Sequence, residues 1–303
     1  MAYKLRTRVT DILGMEYPLV MGTMQQWSSA ELVAAAANAG AFACLPSAMF
    51  QTTQALREEI RKTKSLTDKS FGVNINLFPM IRPVTNEEYL DAAIEEGISL
   101  IETSGRSPEP FIDRIKQGNA KLMHKCARVR DARTAERLGA DIVEIVGCEC
   151  GGHPSREHIG SLVLIPQVVD SVQIPVVAGG GIADARGFVA ALALGAEGVL
   201  MGTRFIATRE CLIHPNFKDR LTNAQSTDTM LVMRTLSDPM RTLRTELMVK
   251  VQELEEKGAT QDELLPLVAG ERSMKAMSTG DVDGTLLACG QVVGLIHDIP
   301  TVK

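Results

Sequence analysis

Residues 176–203 read VVAGGGIADARGFVAALALGAEGVLMGT, so one apolar run ends in Gly179, Gly180 and Gly181 and a second ends in Met201, Gly202 and Thr203. Glycine leaves its backbone N–H uncovered, and such groups beside a helix start favour an anion such as phosphate. Either cluster alone could be no more than a tight turn. Two of them on successive strands point to a phosphate, because barrel enzymes often build that site from the loops after strands 7 and 8. Other polar residues also stand where apolar runs end. They are Gly22, Thr23, Met24 and Gln25 in MGTMQ, Asn74 in GVNIN, Lys125 in HKC, and Gly151 and His153 in GCECGGHP.

The chemistry of these side chains narrows what they can do. A lysine pointing into a barrel is costly without an anion, which makes Lys125 a candidate for holding negative charge, although lysines on exposed strand ends are common. Asn74 interrupts an apolar strand and needs a partner, either a ligand or a structural hydrogen bond. His153 follows two glycines that let the backbone lie against a flat ligand, and its ordinary pKa suits proton transfer. Two other readings stand beside that one: a loop histidine without a role, or a metal ligand with Cys148 and Cys150. The metal reading lacks a fourth ligand at zinc-like spacing, so no metal is expected. His124 should face the other side of its strand and serve structure, and small packing residues are the plainer account of the two cysteines. The sequence has no nucleophile elbow, Walker loop or dinucleotide fingerprint.

What must position these residues is a run of strands. Short apolar stretches suited to interior parallel strands fall at 17–21, 41–45, 71–76, 98–103, 121–126, 141–146, 174–178 and 199–201. Helical patterns lie between them, with start signals at Ser28, Thr53, Asn86, Asp131 and Asp184, most of them ending at glycine. Eight such steps predict an α/β protein of the (β/α)8 TIM-barrel class, with a doubly wound open sheet as the lesser option. The regularity stops after the eighth strand. Residues 211–283 read as a helical insertion, a lid over the barrel mouth, and 284–303 re-enter with GTLLACGQVVGLIHDI, whose apolar spacing suits the last barrel helix. The barrel domain is then 1–210 plus 284–303.

The totals restrict partners. The chain has 303 residues, 45% of them hydrophobic, with a net charge of −5 and no basic block. Nucleic acid and an anionic membrane surface are therefore unexpected partners, and a small molecule is the better prior. The N-terminus lacks a secretory h-region, and the longest uncharged stretch is broken by Asn38, Gly40 and Pro46, so no membrane span is expected. Six cysteines without paired CxxC spacing suit reduced thiols in the cytoplasm.

Taken together, MGTMQ, FGVNIN, MHKC, GCECGGHP, VVAGGGIADARG, MGTRF, ATRECLIHP and the closing GQVVGLI resemble the nitronate monooxygenase (2-nitropropane dioxygenase-like) family of FMN-dependent barrels. The likeness is greatest to its NADH:quinone reductase branch and runs nearly end to end. The resemblance implies that Gly180, Gly181, Gly202 and Thr203 hold the FMN phosphate. It implies that Gly22, Met24, Gln25, Asn74, Lys125 and Gly151 line the flavin, with Thr23, Gly179 and Met201 beside them and His153 on the substrate side. Thr23 and Gly179 depart from the residues common in relatives. The implied activity is hydride transfer from NADH or NADPH to FMN and then two electrons to a quinone, with Lys125 and His153 as catalytic groups. Oxidation of a nitronate by oxygen and reduction of an enoyl thioester are the alternatives, and a flavin-free barrel lyase or isomerase is the reading from another class. Phe78, Pro79 and Met80 are candidates for the nicotinamide contact. The expected partners are the small-molecule substrate, quinone or nitronate, and at most a second copy of the chain.

Overall fold

In the computed structural model, which describes residues 5–78, 83–234, 239–268 and 271–303, eight parallel strands close into a barrel in chain order. They are β1 Leu19–Met21, β2 Phe42–Pro46, β3 Gly72–Asn76, β4 Leu100–Ser104, β5 Lys121–Cys126, β6 Ile142–Val146, β7 Val176–Gly179 and β8 Gly198–Met201. Pairing of β8 back onto β1, from Leu19 with Val199 to Met21 with Met201, completes the ring. Every expected strand is present within two residues of its expected limits, and the open sheet is excluded.

Helix α1, Arg8–Leu13, precedes the barrel, and α2 Ala30–Asn38, α3 Thr53–Leu66, α4 Asn86–Glu95, α5 Ile112–Gln117, α6 Val129–Leu138, α7 Ser161–Val169 and α8 Ala185–Ala193 join successive strands. Several helix starts shift from the residues that signalled them. Thr52, not Thr53, caps α3 by accepting from the Ala55 amide, and Thr85, not Asn86, forms a capping box with Glu88. Ser29 precedes α2 in place of Ser28, and α6 starts after Arg128, which leaves Asp131 in its first turn. A capping side chain must reach the amide two or three residues on from a non-helical backbone, so the residue outside the helix does the work. Asp184 caps α8 as expected, accepting from the Arg186 and Gly187 amides.

Strand alternation sorts the barrel interior by height. Val20, Phe42, Cys44, Leu100, Met123, Ile142, Val177 and Leu200 form one apolar cluster, closed from below by Val9 and Leu13 of α1. Two residues further along their strands, Leu100, Met123 and Ile142 give way to Glu102, Lys125 and Glu144, which the period of two places on the same inner face. The interior thus changes from apolar at the N-terminal end to ionic towards the mouth. A second and larger cluster packs the outer strand faces against the helices.

After β8 come α9 Thr203–Ile206, α10 Pro215–Thr222, β9 Thr229–Val232, β10 Met240–Leu243, α11 Glu246–Glu256, α12 Gln261–Val268 and α13 Glu271–Thr279. This insertion is mainly helical, and β9 and β10 add an antiparallel ribbon that runs from Met240 opposite Val232 to Leu243 opposite Thr229. Its own core contains Met230, Val232, Leu247, Met248, Val251 and Leu264. The expected last barrel helix does not form: only a 3₁₀ turn, Gln291–Leu295, appears there. Gly290 and Gly294 explain the difference. A Cβ at Gly290 would lie 2.8 Å from the Glu149 carbonyl oxygen and one at Gly294 2.4 Å from Ser226 Oγ, so close docking onto other loops replaces helix formation. Among the described residues no helix is long and apolar enough to cross a membrane.

Candidate functional site

A cavity of about 780 Å³ opens at the C-terminal ends of the strands. Its lining includes Gly22, Thr23, Met24, Gln25, Lys125, Gly151, His153, Gly180, Gly181, Gly202 and Thr203, so most of the candidate residues converge on one space. Asn74, Gly179 and Met201 are not among the lining residues. Asn74 is buried and its Nδ2 donates to Ser104 Oγ at 3.3 Å, while Asn76, one strand period closer to the mouth, does line the cavity. The Met201 carbonyl accepts from the Gly22 amide at 2.8 Å, and the Gly179 carbonyl accepts from the Gly147 amide at 3.0 Å. Both therefore support the loops next to them.

The glycine loops have the shape their sequence suggested. Gly180 and Gly181 take φ of 95° and 71°, a backbone region open to glycine. A Cβ at Gly180 would come within 2.7 Å of Ser161 Oγ and 2.8 Å of the Gly147 amide nitrogen. At Gly202 a Cβ would meet nothing within 4 Å, so that backbone faces open space. Thr203 Oγ1 accepts from the Gly290 amide at 2.9 Å, which ties this loop to the C-terminal segment. The starts of α7 and α8 are already filled by the chain's own carboxylates. Glu149 accepts from the Ser161 amide at 2.9 Å and from Ser161 Oγ at 3.0 Å at the start of α7, and Asp184 caps α8. An anion here must accordingly be held by the loops at Gly180–Gly181 and Gly202–Thr203 themselves.

Below them lies an ionic group that the sequence reading missed. Lys125 Nζ donates to Glu102 Oε1 and stands 3.4 Å from Glu144 Oε2, and the Thr23 hydroxyl donates to the other Glu102 oxygen. Strand register brings Lys125 directly opposite Glu144. Burial works to raise the Glu102 carboxyl, but the Lys125 charge and hydrogen bond with the Thr23 hydroxyl overcome it and hold it below its ordinary value. Burial first, and then the Glu102 charge, outweigh the pull of Lys125 on Glu144 and push its carboxyl up to about 8. Burial alone would lower Lys125, yet the two carboxylates raise it above its ordinary value. The arrangement favours a carboxylate at Glu102 and an ammonium at Lys125 and biases Glu144 towards its protonated form. The anion that Lys125 required is thus supplied by its neighbours. The signal was present in LIETS and IVEIV, each an apolar strand with a single glutamate.

His153 stacks on Phe78, with ring centroids 4.5 Å apart and planes tilted by 31°. Pro79 and Met80, the other two nicotinamide candidates, lie outside the described residues. The loop that carries His153 is clamped by the insertion. Gly152 and Arg241 of β10 exchange backbone hydrogen bonds at 3.0 and 2.6 Å, and the buried Arg241 guanidinium donates to the Cys148 carbonyl at 3.3 Å and to Thr229 Oγ1 at 3.1 Å. His124 is buried with Nδ1 2.8 Å from Thr103 Oγ1, in keeping with a structural place, and burial pushes its pKa down to about 4. Burial likewise pushes the Cys150 thiol up to about 12, far from a reactive thiolate. Met24, Trp27, Phe78, Met240, Val268 and Met277 give the cavity an apolar side, the last three of them from the insertion.

The chain is 33% identical to the (3aS,4S,5R,7aS)-5-hydroxy-7a-methyl-1-oxo-octahydro-1H-indene-4-carboxyl-CoA dehydrogenase of Rhodococcus jostii, over 99% of this chain and 93% of that protein. It is 31% identical to a probable nitronate monooxygenase of Staphylococcus saprophyticus, over 84% of this chain and 82% of that one. Among solved structures, FabK from Thermotoga maritima superposes with a TM-score of 0.91 at 37% identity, over 98% of this chain and 92% of that one. A nitroalkane oxidase from Streptomyces ansochromogenes gives 0.80 at 26% identity, over 98% and 95%. The sequence model of the nitronate monooxygenase family matches residues 6–303. By that match and these likenesses, the chain belongs to the nitronate monooxygenase family of oxidoreductases.

Proposed function

We propose that this protein is an FMN-dependent oxidoreductase that takes hydride from NADH or NADPH and passes two electrons to a quinone. The observation that carries the reading is the convergence of Gly180, Gly181, Gly202 and Thr203 on the wall of a cavity that also contains Lys125 and His153. The open space in front of Gly202, where a Cβ would meet nothing within 4 Å, suits a phosphate at that point. FMN, when bound, supplies the hydride acceptor and the two-electron relay between the substrates.

The chain's own residues have separable tasks. Backbone amides of the two glycine loops would hold the phosphate, and Gly22, Thr23, Met24, Gln25, Asn76 and Gly151 would line the ring and its ribityl chain. Lys125 keeps a fixed ammonium at the ionic end of the barrel interior, where negative charge is stabilised without reorganisation. His153, in van der Waals reach of Phe78, offers a ring nitrogen to orient the second substrate or to give it a proton. The apolar side formed by Met24, Trp27, Met240 and Met277 excludes water and suits a flat, apolar acceptor. The enzyme would work in the cytoplasm, alone or as a homodimer.

A second reading has support of its own. The Rhodococcus jostii relative is named for an acyl-CoA substrate and is matched along 99% of this chain, which favours a thioester as the oxidant or reductant in place of a quinone. Anaerobic stopped-flow reduction with each nicotinamide, followed by reoxidation with a quinone, an enoyl-CoA thioester, a propionate nitronate and oxygen in parallel, decides among them. Fastest reoxidation by the quinone supports the first reading, and fastest reoxidation by the thioester replaces it with the second. Nitronate turnover exceeding both would assign the chain the reaction in its family's name. A colourless protein would overturn every flavin reading.

A further inference from the structure

Three consecutive barrel loops each put an arginine into the cavity lining: Arg106 after β4, Arg128 after β5 and Arg156 after β6. Among the described lining residues these three guanidiniums face one carboxylate, Asp131, while Lys125 is already paired with Glu102. This surplus occurs in a chain whose net charge is −5, so it is not the average character of the surface. Asp131 does not neutralise the arc. It sits 2.6 Å from Arg128 Nε and 3.7 Å from Arg130 Nε, one carboxylate between two guanidiniums. Arg128 also occupies the N-cap position of α6 without a side-chain cap bond. A cation there opposes the helix dipole, and local rules are broken in this way mainly where function requires it. Arg106 and Arg156 are exposed at the mouth, and Arg156 donates to the Arg234 carbonyl at 3.4 Å.

The arc lies on β4 to β6, whereas the glycine loops lie on β7 and β8, so the two anion-binding features serve different parts of the mouth. We propose that Arg106, Arg128 and Arg156 bind the phosphates of a nucleotide-bearing co-substrate while its reactive end reaches His153. Guanidinium is suited to this by its fork of donors and its permanent charge. NADPH and a coenzyme A thioester share the chemistry concerned, an adenosine diphosphate with an additional ribose phosphate. The assignment rests on the oxidoreductase reading for the identity of the ligand, and its test is a binding measurement that needs no turnover.

The protein as purified is titrated calorimetrically with NADP⁺, with coenzyme A and with adenosine, at low and at high salt. The same is done with R106Q, R156Q and the double variant. Because both side chains are exposed, thermal melts should coincide with the wild type. Each single change should weaken binding roughly two- to fivefold and the double change about tenfold, added salt should weaken the wild type, and adenosine should respond to neither. Loosening of NADP⁺ alone assigns the arc to the nicotinamide dinucleotide, and loosening of coenzyme A alone assigns it to the acyl carrier. Undiminished binding of both by the double variant overturns the proposal, as does the absence of saturable binding to the wild type. Failure of the flavin reading would show separately, as a lack of visible absorbance, and would leave the binding result to stand or fall by itself.

Discussion

Glu102 is buried and Lys125 half-buried beside it at the cavity wall, and the ion pair lets the carboxylate sit there. Replacing Lys125 with Met leaves a carboxylate facing Thr23 and Glu144 alone, and should cost about 3–5 kcal/mol of stability in denaturant unfolding. K125M/E102Q should recover most of that loss, since the double change removes the uncompensated charge, and no recovery would mean that packing dominates. The glycines allow a sharper separation of stability from binding. Gly202→Ala adds a methyl group to open space, so the flavin-free protein should melt as the wild type does while FMN is held about tenfold less tightly, read from flavin retained after gel filtration. Gly180→Ala forces a side chain into φ 95° and against Ser161, and should lower stability itself by about 1–3 kcal/mol.

Between β4 and β5, the Thr103–His124 contact makes acid stability a property of the sheet. The folded pKa of His124 lies at about 4, below the ordinary 6.5, so its stabilising contribution is present above 6.5 and is lost as pH falls towards 4. That loss is on the order of 3 kcal/mol. Glu144 on β6 has the opposite sign. With its folded value raised to about 8, its contribution is complete below the ordinary 4.5 and is lost as pH rises through 8. Melting temperature followed from pH 4 to 9 should fall on both sides, and E144Q should flatten the alkaline side only. The ribbon invites a different test. Arg241→Ala keeps the backbone bridge to Gly152 but releases the Cys148 carbonyl, so kcat/KM should fall about tenfold with FMN still bound. Unchanged kinetics would show that the backbone bridge alone holds the His153 loop.

Across the whole molecule, the last residues lock together parts of the chain that are far apart in sequence. The Gln291 amide donates to the Glu149 carbonyl at 2.9 Å, the Gly290 amide donates to Thr203 Oγ1, and Val292, Val293 and Ile296 are buried. Truncation after Cys289 removes those three buried apolar side chains, whose burial is worth about 5 kcal/mol together, and should lower the melting temperature by roughly 10 °C. It should also reduce flavin retention, because the Gly290 amide that donates to Thr203 Oγ1 is lost with the deleted segment. Retained flavin at wild-type levels would show that the glycine loops stand without this support.

The barrel was legible in the sequence because a parallel strand buried on both faces needs a continuous apolar run, and eight such runs recur at similar spacing. Glycine loops after β7 and β8 were legible too, since few residues other than glycine fit such turns. The Glu102–Lys125–Glu144 group and the arginine arc were not, although every residue in them was visible. Whether a carboxylate faces a lysine depends on strand register and on the closure of β8 onto β1. Those follow from the packing of the complete ring, as does the 3₁₀ turn at Gln291–Leu295, where contact with Glu149 and Ser226 overrides an apolar pattern that by itself reads as a helix.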